Sequence, residues 1–379
     1  MTNQKELRIG MVGYSFMGRA HTQAYRDVSY YFKPELKPVL KAISGRNEAN
    51  VKAAAEQLGF ESIETDWKKL IERDDIDLID IVTPNNSHAE IAIAAAKAGK
   101  HVICEKPLSM SVEEAKEMKQ AVEEAGVIHM ICHNYRFSPA VQYAKQLISE
   151  GKLGKIHHFR GVYLQDWLLD PKTPMTWRMK KAVTGYGTHG DIAAHSIDLA
   201  RFLVGEITDV AGMLKTFVNE RPVAGTENET DTVDVDDASA FITQFENGAM
   251  GVFEASRFAG GNRNGNRFEI NGEKGSIKWD LENLNNLHVY FHDDEPGLQG
   301  FRLINCTESE HPYAGAYWPS GHILGYEHTF INLVHDLIEG ISTGKNPTPN
   351  FNDGVENQKV LEAVAEASEK KSWVQIPHN

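Results

Sequence analysis

An imidazole and a carboxylate four residues apart, His195 and Asp191, form the pair in this sequence best suited to moving a proton. The surrounding residues have a helical pattern, and positions i and i+4 of a helix share one face. There the Asp191 carboxylate would fix the tautomer of the His195 ring and favour its protonated form. His195 could then act as a general base near neutral pH. Lys106, which precedes Pro107, could stabilise the resulting negative charge or relay the proton.

Each of these signals also has a structural alternative. Asp198 could satisfy His195 at i+3 or pair with Arg201, and a lysine before a proline is ordinary in a loop. Other histidines stand nearby in the sequence, but no compact ligand set such as HExxH is present, so we predict no metal site.

A glycine-rich turn, residues 13–18 (GYSFMG), follows an apolar run and opens a helical pattern. In the dinucleotide-binding fingerprint the first glycine makes the turn, the second admits the pyrophosphate, and the third lets helix pack on strand. Ser15 stands in the second position, and its hydroxyl could itself bind a phosphate oxygen. The turn therefore predicts NAD or NADP bound at the N-terminus of the helix.

The end of the second predicted strand should read the adenosine ribose. NAD enzymes commonly place an acidic residue there. This chain has Gly45 and Arg46 instead, so a 2′-phosphate would not be repelled and Arg46 could pair with it or stack on adenine. Arg46 could equally be a solvated residue at a helix start, so the choice between NAD and NADP stays open.

Short apolar runs alternate with helical patterns through the first third of the chain. This alternation predicts a doubly wound parallel sheet. The predicted strands are 7–12, 39–43, 78–82, 101–104 and 127–132. The predicted helices start near Gly18, cover 47–58 and 88–98, and open again at Ser111, where Glu114 completes a capping-box pattern.

After about His133 the pattern changes to strands joined by turns, with few helices between them, which predicts a mostly antiparallel sheet. The predicted strands are 156–163, 238–245, 249–256, 267–270, 276–279 and 287–291. The predicted helices are 139–149, 191–203, 328–339 and 354–370. The polar segment 219–231 is predicted to be a loop, and residues 373–376 a strand on either domain. We therefore predict domains 1–133 and 134–379.

Composition excludes several classes of protein. A chain of 379 residues is too long for one ordinary core, which agrees with two domains. The net charge of −14 argues against general affinity for nucleic acid or anionic membranes. No apolar run reaches the roughly 20 residues needed to span a bilayer. Three widely spaced cysteines and a polar N-terminus predict a reducing, cytoplasmic setting.

Three further segments, taken with the glycine turn, resemble the Gfo/Idh/MocA family of sugar and inositol dehydrogenases. They are 83–88 (TPNNSH), 104–107 (CEKP) and 190–198 (GDIAAHSID). Their order and spacing match the family pattern, and the strand-rich later half fits it too, so the resemblance covers nearly the whole chain. Ser15 and His189 depart from the pattern, and the second departure is expected to bear on substrate choice.

The resemblance implies a fold and an activity. The fold is α/β, with an N-terminal Rossmann domain and a C-terminal domain carrying a large open sheet. The activity is NAD(P)-dependent oxidation of a secondary hydroxyl of a sugar, anhydrosugar or cyclic polyol, with Lys106, Asp191 and His195 as catalytic residues. One face of the broad sheet could bury against another subunit, which predicts a homodimer or homotetramer.

Residues around these motifs are the predicted ligand contacts. The cofactor-binding set is Gly13, Ser15, Phe16, Met17, Gly45, Arg46, Thr83, Asn85, His88, Glu105, Lys106 and Asn134. The substrate-binding set is Lys106, Tyr135, Gln165, Trp167, Trp177, Arg178, Asp191 and His195. Trp167 and Trp177 could stack on a sugar ring or equally belong to the core, and His88 could simply cap the next helix.

Two other functions stay open on the sequence alone. An enzyme of this fold can oxidise a sugar transiently to permit glycosidic cleavage and then reduce it again, giving product without net NADH. A dinucleotide-binding regulator could use the same scaffold without catalysis. The presence of both Lys106 and His195 speaks against the regulator.

Overall fold

Six parallel strands form the first sheet. They are β1 (Glu6–Val12), β2 (Lys37–Ser44), β3 (Ser62–Glu64), β4 (Leu78–Ile81), β5 (His101–Cys104) and β6 (His129–Ile131). In the computed structural model, which describes residues 4–377, their order is β3-β2-β1-β4-β5-β6. This order reverses direction between β1 and β4, as in dinucleotide-binding folds. The predicted doubly wound parallel sheet is confirmed.

Helices connect these strands and continue through the rest of the chain. They are α1 (Phe16–Tyr31), α2 (Glu48–Leu58), α3 (Trp67–Glu72), α4 (His88–Lys97), α5 (Val112–Ala125), α6 (Pro139–Ser149), α7 (Lys181–Thr184), α8 (Ala194–Leu203), α9 (Tyr326–Thr343) and α10 (Phe351–Lys370). At the start of α5 the Ser111 hydroxyl accepts from the Glu114 N–H at 3.2 Å. The Glu114 carboxylate reaches one residue further back and accepts from the Met110 N–H at 3.0 Å, so the predicted capping box is only half formed.

A second sheet contains nine strands. The strands of the second half are β7 (Ile156–Leu164), β8 (Ile207–Lys215), β9 (Glu220–Pro222), β10 (Thr230–Thr232), β11 (Ala238–Phe245), β12 (Met250–Ser256), β13 (Gly265–Gly272), β14 (Gly275–Asp280), β15 (Asn286–Phe291), β16 (Arg302–Asn305) and β17 (Val374–Gln375). The sheet order is β16-β15-β14-β13-β7-β12-β11-β8-β17. Only β7 and β12 pair in parallel, so the predicted mostly antiparallel sheet is confirmed.

Three features of the second half differ from the sequence prediction. The prediction of a loop at 219–231 is wrong, because β9 and β10 pair as an antiparallel hairpin whose bonds come from the backbone whatever the side chains. Strand β8 escaped prediction because, apart from Ile207 and Val210, its side chains are at least partly exposed. The predicted helix 191–203 is α-helical only from Ala194, since His189–Ala193 forms a π turn.

Packing divides the chain into two compact units. The first comprises residues up to 137 together with 325–358, and the second comprises 138–324 together with the residues from 359 onward. The predicted domain division at 133/134 would assign residues 325–358 to the other unit. They belong to the first because α9 packs along α1, with the Phe330 ring 5.3 Å from the His21 ring.

Within the second unit, α6 and α8 pack against the large sheet. On β11 the buried side chains alternate with exposed ones, as expected for a sheet with one covered face. The uncovered face carries large apolar side chains, Met213, Ile242 and Met250, which are 62%, 42% and 52% exposed.

Two further findings concern the chain's setting. In the described range, none of the helices combines the length and the apolar character that crossing a bilayer requires. Cys104, Cys132 and Cys306 are all buried as free thiols.

Candidate active site

The glycine turn between β1 and α1 has the backbone shape that a dinucleotide site needs. Gly13 has φ +105°, and a Cβ there would lie 2.9 Å from the Val82 carbonyl oxygen. Its N–H donates to the Ser44 carbonyl at 3.0 Å, which ties the turn to the end of β2. A Cβ at Gly18 would lie 3.3 Å from the Gly13 carbonyl oxygen, so this glycine allows close packing of helix and turn.

The start of α1 fits a diphosphate. Ser15 is the N-cap residue, but its exposed side chain makes no capping hydrogen bond, so the hydroxyl can serve a ligand. The first N–H groups of a helix have no intrahelical acceptor and favour an anion. Phe16 is 62% exposed and Met17 half-buried beside them. The residues present therefore fit the phosphates of NAD or NADP.

Gly45 and Arg46 follow β2 at the same sheet edge. The Gly45 N–H donates to the Glu64 carbonyl at 3.1 Å, and a Cβ on Gly45 would lie 2.1 Å from Cε1 of Tyr14. Arg46 is exposed. The backbone at Gly45 thus lies under the Tyr14 ring, while Arg46 is available to a ligand.

Thr83, Asn85 and His88 follow β4. The Ser87 hydroxyl donates to Thr83 Oγ1 at 2.7 Å, and Asn85 begins a short 3₁₀ turn, Asn85–Ser87. The buried His88 ring places Nε2 2.9 Å from the Thr83 carbonyl and Nδ1 3.0 Å from the Pro107 carbonyl. Burial lowers the pKa of His88. The ring therefore lies between the loops after β4 and β5 and contacts a main-chain carbonyl of each.

Glu105 and Lys106 follow β5. The Glu105 carboxylate accepts from the Lys106 backbone N–H at 3.1 Å, and Lys106 itself is half-buried. Asn134 and Tyr135 lie in a buried 3₁₀ turn that packs on α9, where the Asn134 amide donates to Thr329 Oγ1 at 2.9 Å. In the first unit the predicted residues therefore sit at successive carboxyl ends of strands, the edge where such folds bind ligands.

In the second unit, long-range contacts connect the predicted substrate residues. The Trp167 Nε1–H donates to Gln165 Oε1 at 3.1 Å, and the Gln165 amide donates to Asn264 Oδ1 at 3.0 Å. The Tyr163 hydroxyl donates to the same Asn264 oxygen at 2.7 Å. The Tyr163 ring in turn lies 5.9 Å from the His195 ring.

Arg257 continues this set of contacts to Asp191. Its Nη2–H donates to an Asp191 oxygen at 2.5 Å, and its guanidinium lies 5.2 Å from the Trp167 ring centre. The side chains of His195, Tyr163, Asn264, Gln165, Trp167, Arg257 and Asp191 thus form one chain of contacts, which we call the polar circuit.

Sequence reasoning missed Arg257 and Asn264, because neither belongs to a local motif. Arg257 is only 1% exposed, and its Nε and Nη1 groups have no acceptor among the residues that the structure describes. Buried donors normally find a partner, so these two groups are available to a ligand oxygen or a water. A basic residue directly after a predicted strand end, Ser256, is the one signal that could have marked it.

Trp167 and Trp177 are 39% and 37% exposed, so the structure does not bury them as core residues. The Arg178 guanidinium lies 4.4 Å from the Trp177 ring centre. Met179, next in sequence, packs with Leu168 in a small buried cluster. The segment that carries Trp177 and Arg178 is therefore anchored beside the one that carries Trp167.

Asp236 holds the π turn that carries Asp191. Its two carboxylate oxygens accept from the Gly187 N–H at 2.9 Å and the His189 N–H at 2.7 Å, as a capping residue does. The expectation that His189 bears on substrate choice is not supported, because its ring is fully buried between Tyr186 and Phe241. Burial lowers its pKa, and its Nε2 lies 3.1 Å from the Leu361 carbonyl oxygen, so the ring has a structural role.

The first unit also contains a buried polar cluster that the sequence did not indicate. Among the residues that the structure describes, His21, Glu105 and Cys132 place ligand-type atoms within 4.8 Å of one another, a spacing that could hold a metal ion. The prediction of no metal site did not consider this trio, since its members lie far apart in sequence.

Comparison with known proteins matches both parts of the chain. Residues 7–133 match the family described as oxidoreductases with an NAD-binding Rossmann fold, and residues 141–278 match the GFO/IDH/MocA C-terminal domain. Levoglucosan dehydrogenase of Pseudarthrobacter phenanthrenivorans is 43% identical, over 98% of this chain and 99% of its own length.

Two solved structures are similar over almost their whole length. An oxidoreductase domain protein from Kribbella flavida is 48% identical with a TM-score of 0.96, covering 99% of this chain and 100% of the other. A levoglucosan dehydrogenase in complex with NADH and levoglucosan is 43% identical with a TM-score of 0.96, covering 98% and 100%. The chain therefore belongs to the Gfo/Idh/MocA family and is an oxidoreductase with an NAD-binding Rossmann domain.

Proposed function

We propose that this enzyme oxidises a secondary hydroxyl of an anhydrosugar, with levoglucosan as the first candidate and NAD as the hydride acceptor. The observation that carries the proposal is the polar circuit. It connects two side chains suited to binding a sugar, the half-exposed Trp167 and the polar Gln165, with the acid–base residues Asp191 and His195. The name and NADH complex of the similar dehydrogenase support the choice of sugar and cofactor.

The cofactor's phosphates would bind the N-terminus of α1 and the Ser15 hydroxyl, with Thr83, Asn85 and Glu105 toward the ribose and nicotinamide. When bound, the nicotinamide supplies the hydride acceptor. Gly45 and Arg46 offer no carboxylate to repel a 2′-phosphate, so NADP has to be tested beside NAD.

The chain's own side chains handle the proton. His195 takes the hydroxyl proton on its imidazole, and the Lys106 ammonium stabilises the oxygen as negative charge develops. Asp191, oriented by its ion pair with Arg257, accepts a hydrogen bond from a substrate hydroxyl. The sequence likewise predicts Asp191 as a substrate contact, in addition to its role of orienting His195.

Substrate selection would come from the half-exposed aromatic rings. The apolar face of a pyranose stacks on indole, and Trp167 and Trp177 each expose more than a third of their surface. Gln165 and Arg178 supply polar contacts at the rim.

A substrate panel tests the proposal. Levoglucosan, glucose, xylose, myo-inositol and scyllo-inositol are each offered with NAD and with NADP, and absorbance of the reduced cofactor is followed. We expect the highest kcat/KM for levoglucosan with NAD. A preference for inositols would overturn the anhydrosugar assignment. Glycoside cleavage without net reduced cofactor would favour transient oxidation, and cofactor binding without turnover would favour a regulator.

We also propose that the enzyme is a homo-oligomer that buries the uncovered face of the large sheet against a second copy. Met213, Ile242 and Met250 on that face support it. Light scattering should give a multiple of the chain mass, and Ile242→Glu should lower it. A native mass of one chain would contradict the proposal.

A further inference from the structure

The buried cluster in the first unit is built around His21, on the second turn of α1. Its Nδ1 lies 3.0 Å from both carboxylate oxygens of Asp80, and its Nε2 lies 3.0 Å from Glu105 Oε1. The three side chains are 1%, 0% and 4% exposed. An imidazole can donate from both nitrogens only when it is protonated, so this arrangement suits an imidazolium between two carboxylates.

Besides the two carboxylates, the titratable groups that the structure describes around His21 are two thiols and a phenol. Burial opposes protonation of the ring, but Asp80 and the Cys132 sulfur together outweigh it, so the pKa of His21 lies well above its ordinary value. Burial raises the pKa of the neighbouring Cys132 thiol to about 12, which keeps it neutral. Burial likewise raises the pKa of Tyr25 and Cys104. Asp80 and Glu105 are the two carboxylates that contact the ring, each at 3.0 Å.

Glu105 connects His21 to the backbone of Lys106, the predicted catalytic lysine. While Oε1 faces His21, the other oxygen, Oε2, accepts from the Lys106 backbone N–H at 3.1 Å. A carboxylate held at both oxygens has little rotational freedom, and its remaining lone pairs can still accept from a ribose hydroxyl. The helix that opens at the glycine turn is thereby connected, through one side chain, to the strand end that carries Lys106.

We propose that His21 is a positioning residue: with Asp80, it holds the Glu105 carboxylate in one orientation, and so sets both the ribose contact and the Lys106 backbone. The proposal rests on the proposed function for the roles of Glu105 and Lys106. It assigns a purpose to an ion network whose three side chains are at most 4% exposed.

A bound metal is the competing explanation of the cluster. Two ligand atoms of a tetrahedral zinc ion, each about 2.0–2.1 Å from the metal, lie about 3.3 Å apart. The 3.0 Å between His21 Nε2 and Glu105 Oε1 is instead the length of an N–H···O hydrogen bond. The geometry therefore favours a hydrogen bond between His21 and Glu105 over a bound metal, and elemental analysis distinguishes the two.

The first measurement uses the native enzyme. Proton and nitrogen NMR of ¹⁵N-histidine-labelled protein should show one ring with both nitrogens protonated and unchanged from pH 6 to 8, a range about as wide as an ordinary histidine titration. Contact with the Phe330 ring identifies it as His21. A neutral or titrating His21 ring, or one equivalent of metal in the purified protein by elemental analysis, would overturn the proposal.

The second measurement is a double-variant cycle on NADH affinity. His21→Gln alone should weaken NADH binding on the order of tenfold, whereas in a Glu105→Gln background it should change binding by less than about twofold, because His21 acts through Glu105. His129→Gln is the matched control, since His129 is another buried histidine of the same unit that contacts Asn346 and Phe351 instead. Its effect should be the same in both backgrounds.

Independent, multiplying effects of His21→Gln and Glu105→Gln would overturn the proposal. If His21→Gln does not fold, Asp80→Asn takes its place in the cycle, and the NMR result on native protein still decides the protonation. Neither readout needs a sugar. If none of the sugars is oxidised, that result counts against the proposed function alone. If the double-variant cycle shows independent effects, that result counts against the role of His21 alone.

Discussion

The two units hold their predicted ligand contacts by different means. In the first unit many of the contacts involve the backbone: the Gly13 N–H, the carbonyls that flank His88, and the Lys106 N–H, although His21 and Glu105 meet side chain to side chain. In the second unit they join side chain to side chain around the polar circuit, as between Asp191 and Arg257. A backbone-built site tolerates most side-chain changes, whereas a side-chain circuit depends on each member. The comparison predicts different consequences of substitution.

The largest effect is expected at the end of the circuit, in His195→Ala. Turnover should fall on the order of 10²–10⁴, the share of a general base, while NADH affinity measured by fluorescence stays unchanged. Near-native turnover by folded His195→Ala would move the base role to another residue and break the comparison.

In the first unit, Ser15→Asp should weaken NADH binding on the order of 10²-fold, because a carboxylate would face the pyrophosphate at the N-terminus of α1. Aspartate is a good N-cap residue, so the helix itself should remain stable. Ser15→Ala is the control and should cost little, since the backbone provides most of the site. Equal affinity of Ser15→Asp and native enzyme for NADH would show that the phosphates bind elsewhere.

Arg257→Lys tests the circuit without removing the charge. It should lower kcat/KM for the sugar on the order of tenfold, because lysine cannot contact Asp191 and the Trp167 ring together as the planar guanidinium does. NADH affinity should not change. Arg263→Lys, at a side chain 85% exposed and paired with Asp166, is the control. A kcat/KM for Arg257→Lys equal to that of the control would exclude Arg257 from the sugar site.

The smallest effect is expected for Arg46→Asp, which should lower the kcat/KM ratio of NADP to NAD several-fold, on the order of 1 kcal/mol, by adding a carboxylate near the ribose. A substitution at Gly45 is unsuitable because its Cβ would meet the Tyr14 ring. Lys52→Asp makes the same charge change on the exposed face of α2 and is the control. An unchanged ratio would mean that this loop does not contact the ribose.

The difference between local backbone contacts and distant side-chain contacts also explains how much of the fold and the site the sequence could predict. The glycine turn, the loops after β4 and β5 and the parallel sheet follow from local patterns, because glycine geometry and strand–helix alternation are properties of neighbouring residues. Arg257, Asn264 and His21 could not be found this way. Their partners, Asp191, Gln165 and Asp80, lie 59 or more residues away, and such pairs exist only after the chain has folded.

Predicted bounds failed where backbone pairing outweighed side-chain pattern. The hairpin of β9 and β10 is polar, and β8 lacks alternation, yet both form because neighbouring strands complete their hydrogen bonds. The π turn at Asp191 escaped for a related reason. It depends on the distant Asp236, which binds the N–H groups of Gly187 and His189.

The β9 strand contains a feature that bears on how this enzyme could acquire new substrates. The buried guanidinium of Arg221 donates to the main-chain carbonyls of Leu168 and Asp170 at 2.7 and 2.8 Å. These two bonds hold the main chain of the segment after Trp167 and do not involve that segment's side chains. Amino-acid replacements at the exposed positions between Trp167 and Trp177 can therefore accumulate while the segment keeps its path, whereas Leu168 stays fixed by its buried cluster. Directed evolution of sugar preference should find its permissive positions there.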